Sequence, residues 1–200
     1  MTDHDILQRR IADHWDREIV REITDYIRVP AKSPHFDADW RAHGHIETVI
    51  RNAERWVRAQ DLRGLAVEIV RLEGRTPLLF FDVPASGAAA HGPTVLLYGH
   101  LDKQPEMTGW HEGHGPWSPH LEDGKLYGRG GADDGYAVYA AIAALKALEA
   151  EGMPHARCVG VIETCEESGS YGLPAYLALL APRLGEVDLV IGLDSGAGDY

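Results

Sequence analysis

The stretch "LLYGHLDKQPE", residues 96–106, ends an apolar run with a histidine and a carboxylate two positions apart. Val95 to Tyr98 are apolar or aromatic and lead directly into Gly99, His100, Leu101 and Asp102. A short, continuously apolar run fits a strand buried on both faces. Side chains at i and i+2 of a strand point to the same side, so His100 and Asp102 leave the strand end together. That pairing suits a metal-ligating imidazole whose second nitrogen is held by an acid. It suits a structural hydrogen-bonded pair equally well, and the rest of the chain has to decide.

On both sides of this strand, buried strands alternate with helices. Residues 4 to 28 carry Ile11, Trp15, Ile19, Ile23 and Ile27 at a spacing of four, an amphipathic helix ended by Pro30. Residues 39 to 60 repeat the pattern with Ile46, Ile50, Ala53 and Val57. Two β-rich pieces follow, "LAVEIVRLEG" and "PLLFFDVP", then the loop "ASGAAAHGP". Beyond the opening strand, Lys103 to Gly124 is rich in Gly, Pro, His and Trp and reads as a long ordered loop or meander. Trp110 and Trp117 are expected to pin it to the body. The spacing of His111, His114 and His120 fits no compact ligand set, so these are expected to be solvated loop histidines. "YAVYAAIAALKALEA" is a buried helix, "RCVGVIETCEES" a buried strand, residues 172 to 183 a helix with Pro174 in its first turn, and "VDLVIGLDSG" a last buried strand. The alternation predicts an α/β layered domain with a largely parallel central sheet.

Composition excludes several function classes. With 44% hydrophobic and 25% charged residues the chain is an ordinary globular protein. A formal net charge of -12, with Lys and Arg scattered, argues against nucleic acid or an anionic membrane as partner. No run approaches the ~20 apolar residues of a membrane span. The charged start, "MTDHDILQRR", lacks a secretory apolar region, which places the protein in the cytoplasm. Cys158 and Cys165 are too few for a disulfide framework or a cysteine zinc site and are expected to be reduced and partly buried.

Each polar cluster of interest stands just past a buried strand or at the start of a helix. His100 and Asp102 follow one strand, Asp133 and Asp134 precede the apolar helix, Glu166 and Glu167 follow "VGVIETC", and Asp194 follows "LVIGL". Ligand sites in open α/β sheets form beyond the carboxyl ends of the strands. Taken singly, each group has a commoner structural use: an aspartate capping the helix, glutamates at a strand exit, an aspartate in a turn. Taken together, they bring five carboxylates and a histidine to one sheet edge, and so much negative charge requires a cation. Carboxylates alone suit magnesium or calcium, whereas an imidazole among them points to zinc or a similar transition metal. Five acids exceed the needs of one tetrahedral ion, which suggests two metals, roughly 3.5–4 Å apart, sharing a bridging carboxylate.

In order and spacing, "GHLDKQP", "DGKLYGRGGADDG", "ETCEESGS" and "IGLDSG" resemble the signature segments of a di-zinc metallopeptidase family. Carnosinase, cytosolic non-specific dipeptidase, glutamate carboxypeptidase, aminoacylase and succinyl-diaminopimelate desuccinylase belong to it. The resemblance covers about residues 65 to 200 and is strongest to the dipeptidase branch. It implies a three-layer catalytic domain of which residues 1–200 form the N-terminal part. An inserted lid and dimerisation domain, and a C-terminal part with a further histidine ligand, would lie outside this chain. Carried over by position, the resemblance makes His100 and Asp194 ligands of one zinc, Asp133 a bridge between both, and Glu167 a ligand of the other. Glu166 becomes the general base and Asp102 the acid that orients His100. Asp133 and Asp134 would be joined by a cis peptide. Adjacent residues in extended chain diverge, so Glu166 and Glu167 would face different partners. Gly135 and Tyr136 replace the family's Lys-Gly, a departure that bears on substrate preference more than on metal binding.

The implied activity is hydrolysis of the amide bond of a dipeptide or short peptide, with two zinc ions (or manganese or cobalt in their place) and a homodimer in the full-length protein. N-acyl amino acids are the alternative substrates, and an inert metal-binding fragment is the non-enzymatic alternative. A serine hydrolase is excluded because neither Ser168 nor Ser195 stands in a G-x-S-x-G elbow. "GRGGAD" is no dinucleotide fingerprint, since Asp133 occupies the place of its last glycine.

Overall fold

The computed structural model describes residues 3–87 and 92–194. Residues 88–91 of the Ala/Gly loop and residues 195–200, Ser195 among them, lie outside the described residues. The N-terminal stripe is helical throughout, as α1 (Asp3–His14), a π-helical segment (Trp15–Ile19) and α2 (Val20–Ile27). A four-residue spacing drifts by about 40° per step on a 3.6-residue helix. The wider π turn takes up part of that drift and keeps Ile19, Ile23 and Ile27 buried on one face. The helix stops at Ile27, before Pro30. The second amphipathic stretch is split by Gly44, at φ 71°, into α3 (Trp40–His43) and α4 (His45–Ala59).

Next come β1 (Ala66–Val70), β2 (Leu78–Val83) and β3 (Thr94–His100). β4 (His120–Glu122) lies inside the stretch expected to be a long ordered loop or meander and pairs with β5 (Lys125–Tyr127), just beyond that stretch, in a two-stranded hairpin. Its connection is Asp123-Gly124, both at positive φ (50° and 76°), which suits the right-handed twist of an antiparallel pair. Then follow α5 (Ala137–Ala150), β6 (Arg157–Glu163), α6 (Leu173–Leu184) and β7 (Leu189–Gly192).

The five-stranded sheet has the order β1-β2-β6-β3-β7. β6, β3 and β7 are parallel, and β2 and β1 extend the sheet antiparallel from the β6 side. Side chains alternate between two cores. Leu79, Phe81, Leu97 and Ile162 face the layer of α2, α4 and α5, while Leu78, Phe80, Val159 and Val161 face α6 through Tyr176, Leu180 and Leu184. The three-layer α/β architecture read from the sequence is the architecture of the chain, with its parallel half carrying the strand ends that matter. The apolar residues Leu189, Val190 and Ile191 of β7 are exposed, and no helix among the described residues is long and apolar enough to cross a membrane. Both cysteines are free and buried.

Gly160 of β6 lies directly opposite Phe81 of β2. A Cβ added there would fall inside the Phe81 ring. Gly160→Ala is therefore expected to destabilise the fold by about 1–3 kcal/mol through overpacking. Denaturant unfolding of the variant beside its parent measures this, and an unchanged midpoint refutes it.

Candidate metal centre

Four segments meet at the carboxyl end of the parallel strands. β3 delivers His100, which is fully buried together with Asp102. Nε2 of His100 lies 3.3 Å from Asp133 Oδ1, 3.7 Å from Asp194 Oδ2 and 3.8 Å from Glu166 Oε2. His100, Asp133 and Asp194 form one group whose ligand atoms could hold an ion, and His100, Glu166 and Glu167 form another. All six residues singled out from the sequence are thus gathered at one place.

Asp102 does more than the sequence suggested. Nδ1 of His100 donates to the main-chain oxygen of Asp102 at 3.0 Å and has the Asp102 carboxylate at 3.5 Å. The two carboxylate oxygens accept the backbone N–H groups of Glu166 (3.1 Å) and Glu167 (3.0 Å). One buried acid therefore fixes the imidazole and the neighbouring turn. That turn is a 3-10 helix, Glu166–Ser168, and not extended chain. The expected divergence of the two glutamates is corrected accordingly: the turn brings ligand atoms of both within 4.8 Å of His100. Gln104 donates to Glu167 Oε2. The hydroxyl of Ser168 is 2.5 Å from that of Ser33 and accepts the N–H of His35 at 2.8 Å.

Asp133 and Asp134 are joined by a cis peptide. Neither caps α5, whose N-cap is Tyr136 without a side-chain bond. Asp134, buried and unremarked in the sequence beyond its place in the pair, accepts the N–H of His100 at 3.1 Å. This approach needs Gly99, because a Cβ there would lie 2.6 Å from Asp134 Oδ2 and 2.5 Å from Ala137 Cβ. The departure at Gly135 and Tyr136 also has a local cause. A Cβ at Gly135 would overlap the Tyr26 ring, and the Tyr136 hydroxyl donates to the main-chain oxygen of Leu193, next to Asp194. Lys103, likewise unsuspected, is fully buried and donates to the carbonyls of Tyr26 (2.7 Å) and Val29 (2.8 Å) at the end of α2. Burial pulls its pKa down to about 6.

The electrostatics ask for a cation. His100 Nε2 and Glu167 Oε1 are buried without a hydrogen-bond partner. Burial alone would lower the pKa of His100, but the Asp102 and Asp133 carboxylates beside it raise it to about 11. The neighbouring imidazole holds Asp133 low. Burial raises Glu166, and it pushes Glu167 and Asp134 up to about 7. An unpartnered imidazole nitrogen facing three carboxylates is the donor set of a transition-metal ion, so the residues fit such a group.

The model of peptidase family M20/M25/M40 matches residues 96–200. This chain belongs to that family. Among curated relatives, succinyl-diaminopimelate desuccinylase of Methylobacillus flagellatus is 38% identical over 80 residues, covering 39% of this chain and 21% of the relative. That of Xanthobacter autotrophicus is 31% identical over 150 residues, covering 72% and 34%. The chain therefore spans about a third or less of these relatives' length. Among solved structures, human carnosine dipeptidase 1 is 26% identical with a TM-score of 0.73, covering 96% of this chain and 41% of that one. The dipeptidase Dug1p of Saccharomyces cerevisiae shares the fold, with 22% identity and a TM-score of 0.76 over 97% and 41%.

Within this M20 chain the expectation for the loop histidines needs correcting. His111 meets the His114 ring edge-on, with 6.1 Å between centroids, but is not in the ligand group, whereas the hairpin folds His114 and His120 onto Glu122. Sequence spacing concealed this because the turn before β4 doubles the chain back. Trp117 lies against the buried Lys103 side chain, 5.3 Å from its Nζ to the ring centre, whereas Trp110 donates to the Glu106 carbonyl at 2.9 Å within the loop itself.

Two outcomes follow. Asp102→Asn keeps the shape but replaces one acceptor oxygen by a donor, so the affinity for zinc is expected to fall about 10–100-fold, readable by calorimetric titration. Glu167 and Asp134 keep protons in the native state that the unfolded chain has already lost, so native stability declines as pH rises from about 4 to about 7. In chelator-treated protein the melting temperature is expected to drop between about pH 4 and pH 7, and Glu167→Gln to shrink that drop. Equal drops in parent and variant would contradict it.

Proposed function

We propose that this chain carries the metal-binding face and the proton-transferring acid of a hydrolase that cleaves the amide bond of a dipeptide or other short peptide. The observation that carries the reading is the buried, unpartnered Nε2 of His100 facing Asp133, Asp194 and Glu166 from separate segments. His100, Asp133, Glu167 and Asp194 would hold two zinc ions, Asp133 shared between them, with manganese or cobalt as substitutes. When bound, such ions make water nucleophilic near neutral pH and polarise the scissile carbonyl.

The chain's own residues account for the rest. Glu166 is one-third exposed, beside His100 yet open to solvent, so it can meet a substrate and a water. It takes the proton of the attacking water and delivers it to the leaving nitrogen. Its raised pKa favours the first of these transfers, because a stronger base takes the proton more readily. Asp102 positions Glu166 through the backbone, and Gln104 orients Glu167. The share of each relative covered by the chain supports reading it as one part of a larger catalytic unit.

N-acyl amino acids are the second reading, favoured by the desuccinylase relatives. In catalytically active protein, Glu166→Gln is expected to lower kcat by at least about 100-fold while zinc content stays unchanged. Retained turnover would remove Glu166 from the mechanism. Comparing kcat/KM for a dipeptide and an N-succinyl amino acid separates the two substrate classes, and turnover of neither leaves the inert metal-binding reading.

A further inference from the structure

His114, His120 and Glu122 converge on one point at the β4–β5 hairpin. Glu122 Oε2 is 3.8 Å from His114 Nε2 and 3.9 Å from His120 Nε2, and one ligand atom of each residue lies within 4.8 Å of the others. His120 and Glu122 stand at i and i+2 of β4 and so share a face, while His114 is supplied by the turn before the strand. None of the three belongs to the His100 centre.

The arrangement has the marks of a ligand set rather than of a chance cluster. Nδ1 of His114 hydrogen-bonds the main-chain oxygen of Glu112 at 3.2 Å. That bond places the ring proton on Nδ1 and leaves the Nε2 lone pair directed toward Glu122, the second-nitrogen bond typical of metal-bound histidines. With its proton on Nδ1, His114 turns the Nε2 lone pair toward the Glu122 carboxylate, an approach that a cation between them would relieve. The His114 ring is held by edge contacts to Tyr127 (4.8 Å between centroids) and His120 (4.6 Å). Its side chain is only 12% exposed, whereas those of His120 and Glu122 are 45% and 56% exposed and free to adjust. Ligands about 2.0–2.2 Å from a tetrahedral zinc lie roughly 3.3–3.6 Å from one another. Closing the two distances to Glu122 takes a few tenths of an ångström.

We propose that His114, His120 and Glu122 form a separate zinc site, with two imidazoles and one carboxylate as ligands and water in the open fourth position. Two imidazoles select zinc over magnesium or calcium, which prefer oxygen ligands throughout. Bound there, the ion staples the turn carrying His114 to the β4–β5 hairpin.

The test counts zinc. The whole chain, stripped by chelator and dialysed to equilibrium against buffered free zinc, is compared with His120→Asn, His114→Asn and the control His4→Asn, an exposed histidine elsewhere on the chain. Each of the first two variants is expected to bind one zinc fewer than the parent, with the remaining zinc retained, and the control to bind as the parent does. Circular dichroism in chelator checks that His120→Asn, at a solvated position, folds like the parent. An unchanged zinc count in His120→Asn, or the same loss in His4→Asn, overturns the proposal whatever becomes of the His100 centre.

Discussion

The Asp102 carboxylate is buried and bonded on both oxygens to the backbone of a different segment. It joins the exits of β3 and β6, adjacent parallel strands in which His100 pairs in register with Glu163. Because the Asp102 main chain also holds Nδ1 of His100, the imidazole and the Glu166–Ser168 turn cannot move independently. A site assembled from separate segments needs such a tie, since each segment alone would place its acids in water. The apolar strands on either side set the position of the tie, and the tie sets the positions of the ligands.

Around it, several of the polar groups that the fold buries find partners. Glu163 accepts from the hydroxyls of Tyr98 (2.7 Å) and Ser170 (2.8 Å). The Lys103 ammonium closes the end of α2 and lies 3.8 Å from the centre of the Tyr26 ring. Tyr26 in turn donates to the Leu101 carbonyl at 3.1 Å and packs against Gly135. The N-terminal helix is thereby fastened to the segment between His100 and Lys103 and to the Asp133-Asp134 corner. Nε2 of His100 is one of six buried side-chain atoms without a partner among the described residues, and it faces the carboxylates of Asp133, Glu166 and Asp194.

The two histidine centres share one principle. In each, a main-chain carbonyl accepts from Nδ1 of a histidine and leaves its Nε2 facing carboxylates. They differ in depth. His100 is enclosed, so its carboxylates are strongly coupled, whereas the hairpin group is open to solvent and its side chains can adjust.

The layers and the metal-binding edge were legible in the sequence because continuous apolar runs mark strands buried on both faces and each run ends in chemistry-bearing residues. The Asp-Gly turn of the β4–β5 hairpin was legible as well, but it was obscured by the Gly- and His-rich stretch around it. The antiparallel placement of β1 and β2 was not, since an apolar run carries no sign of its neighbour's direction. Periodicity likewise hid the 3-10 turn at Glu166 and the capping ammonium of Lys103, both of which rest on partners far along the chain. What the sequence determined by itself is which residue types stand at strand ends, because alternation and apolarity are local properties. Which carboxylate holds which backbone, and that His114 meets Glu122, was decided only by tertiary structure, because hydrogen bonds and charge contacts depend on distances that folding alone creates.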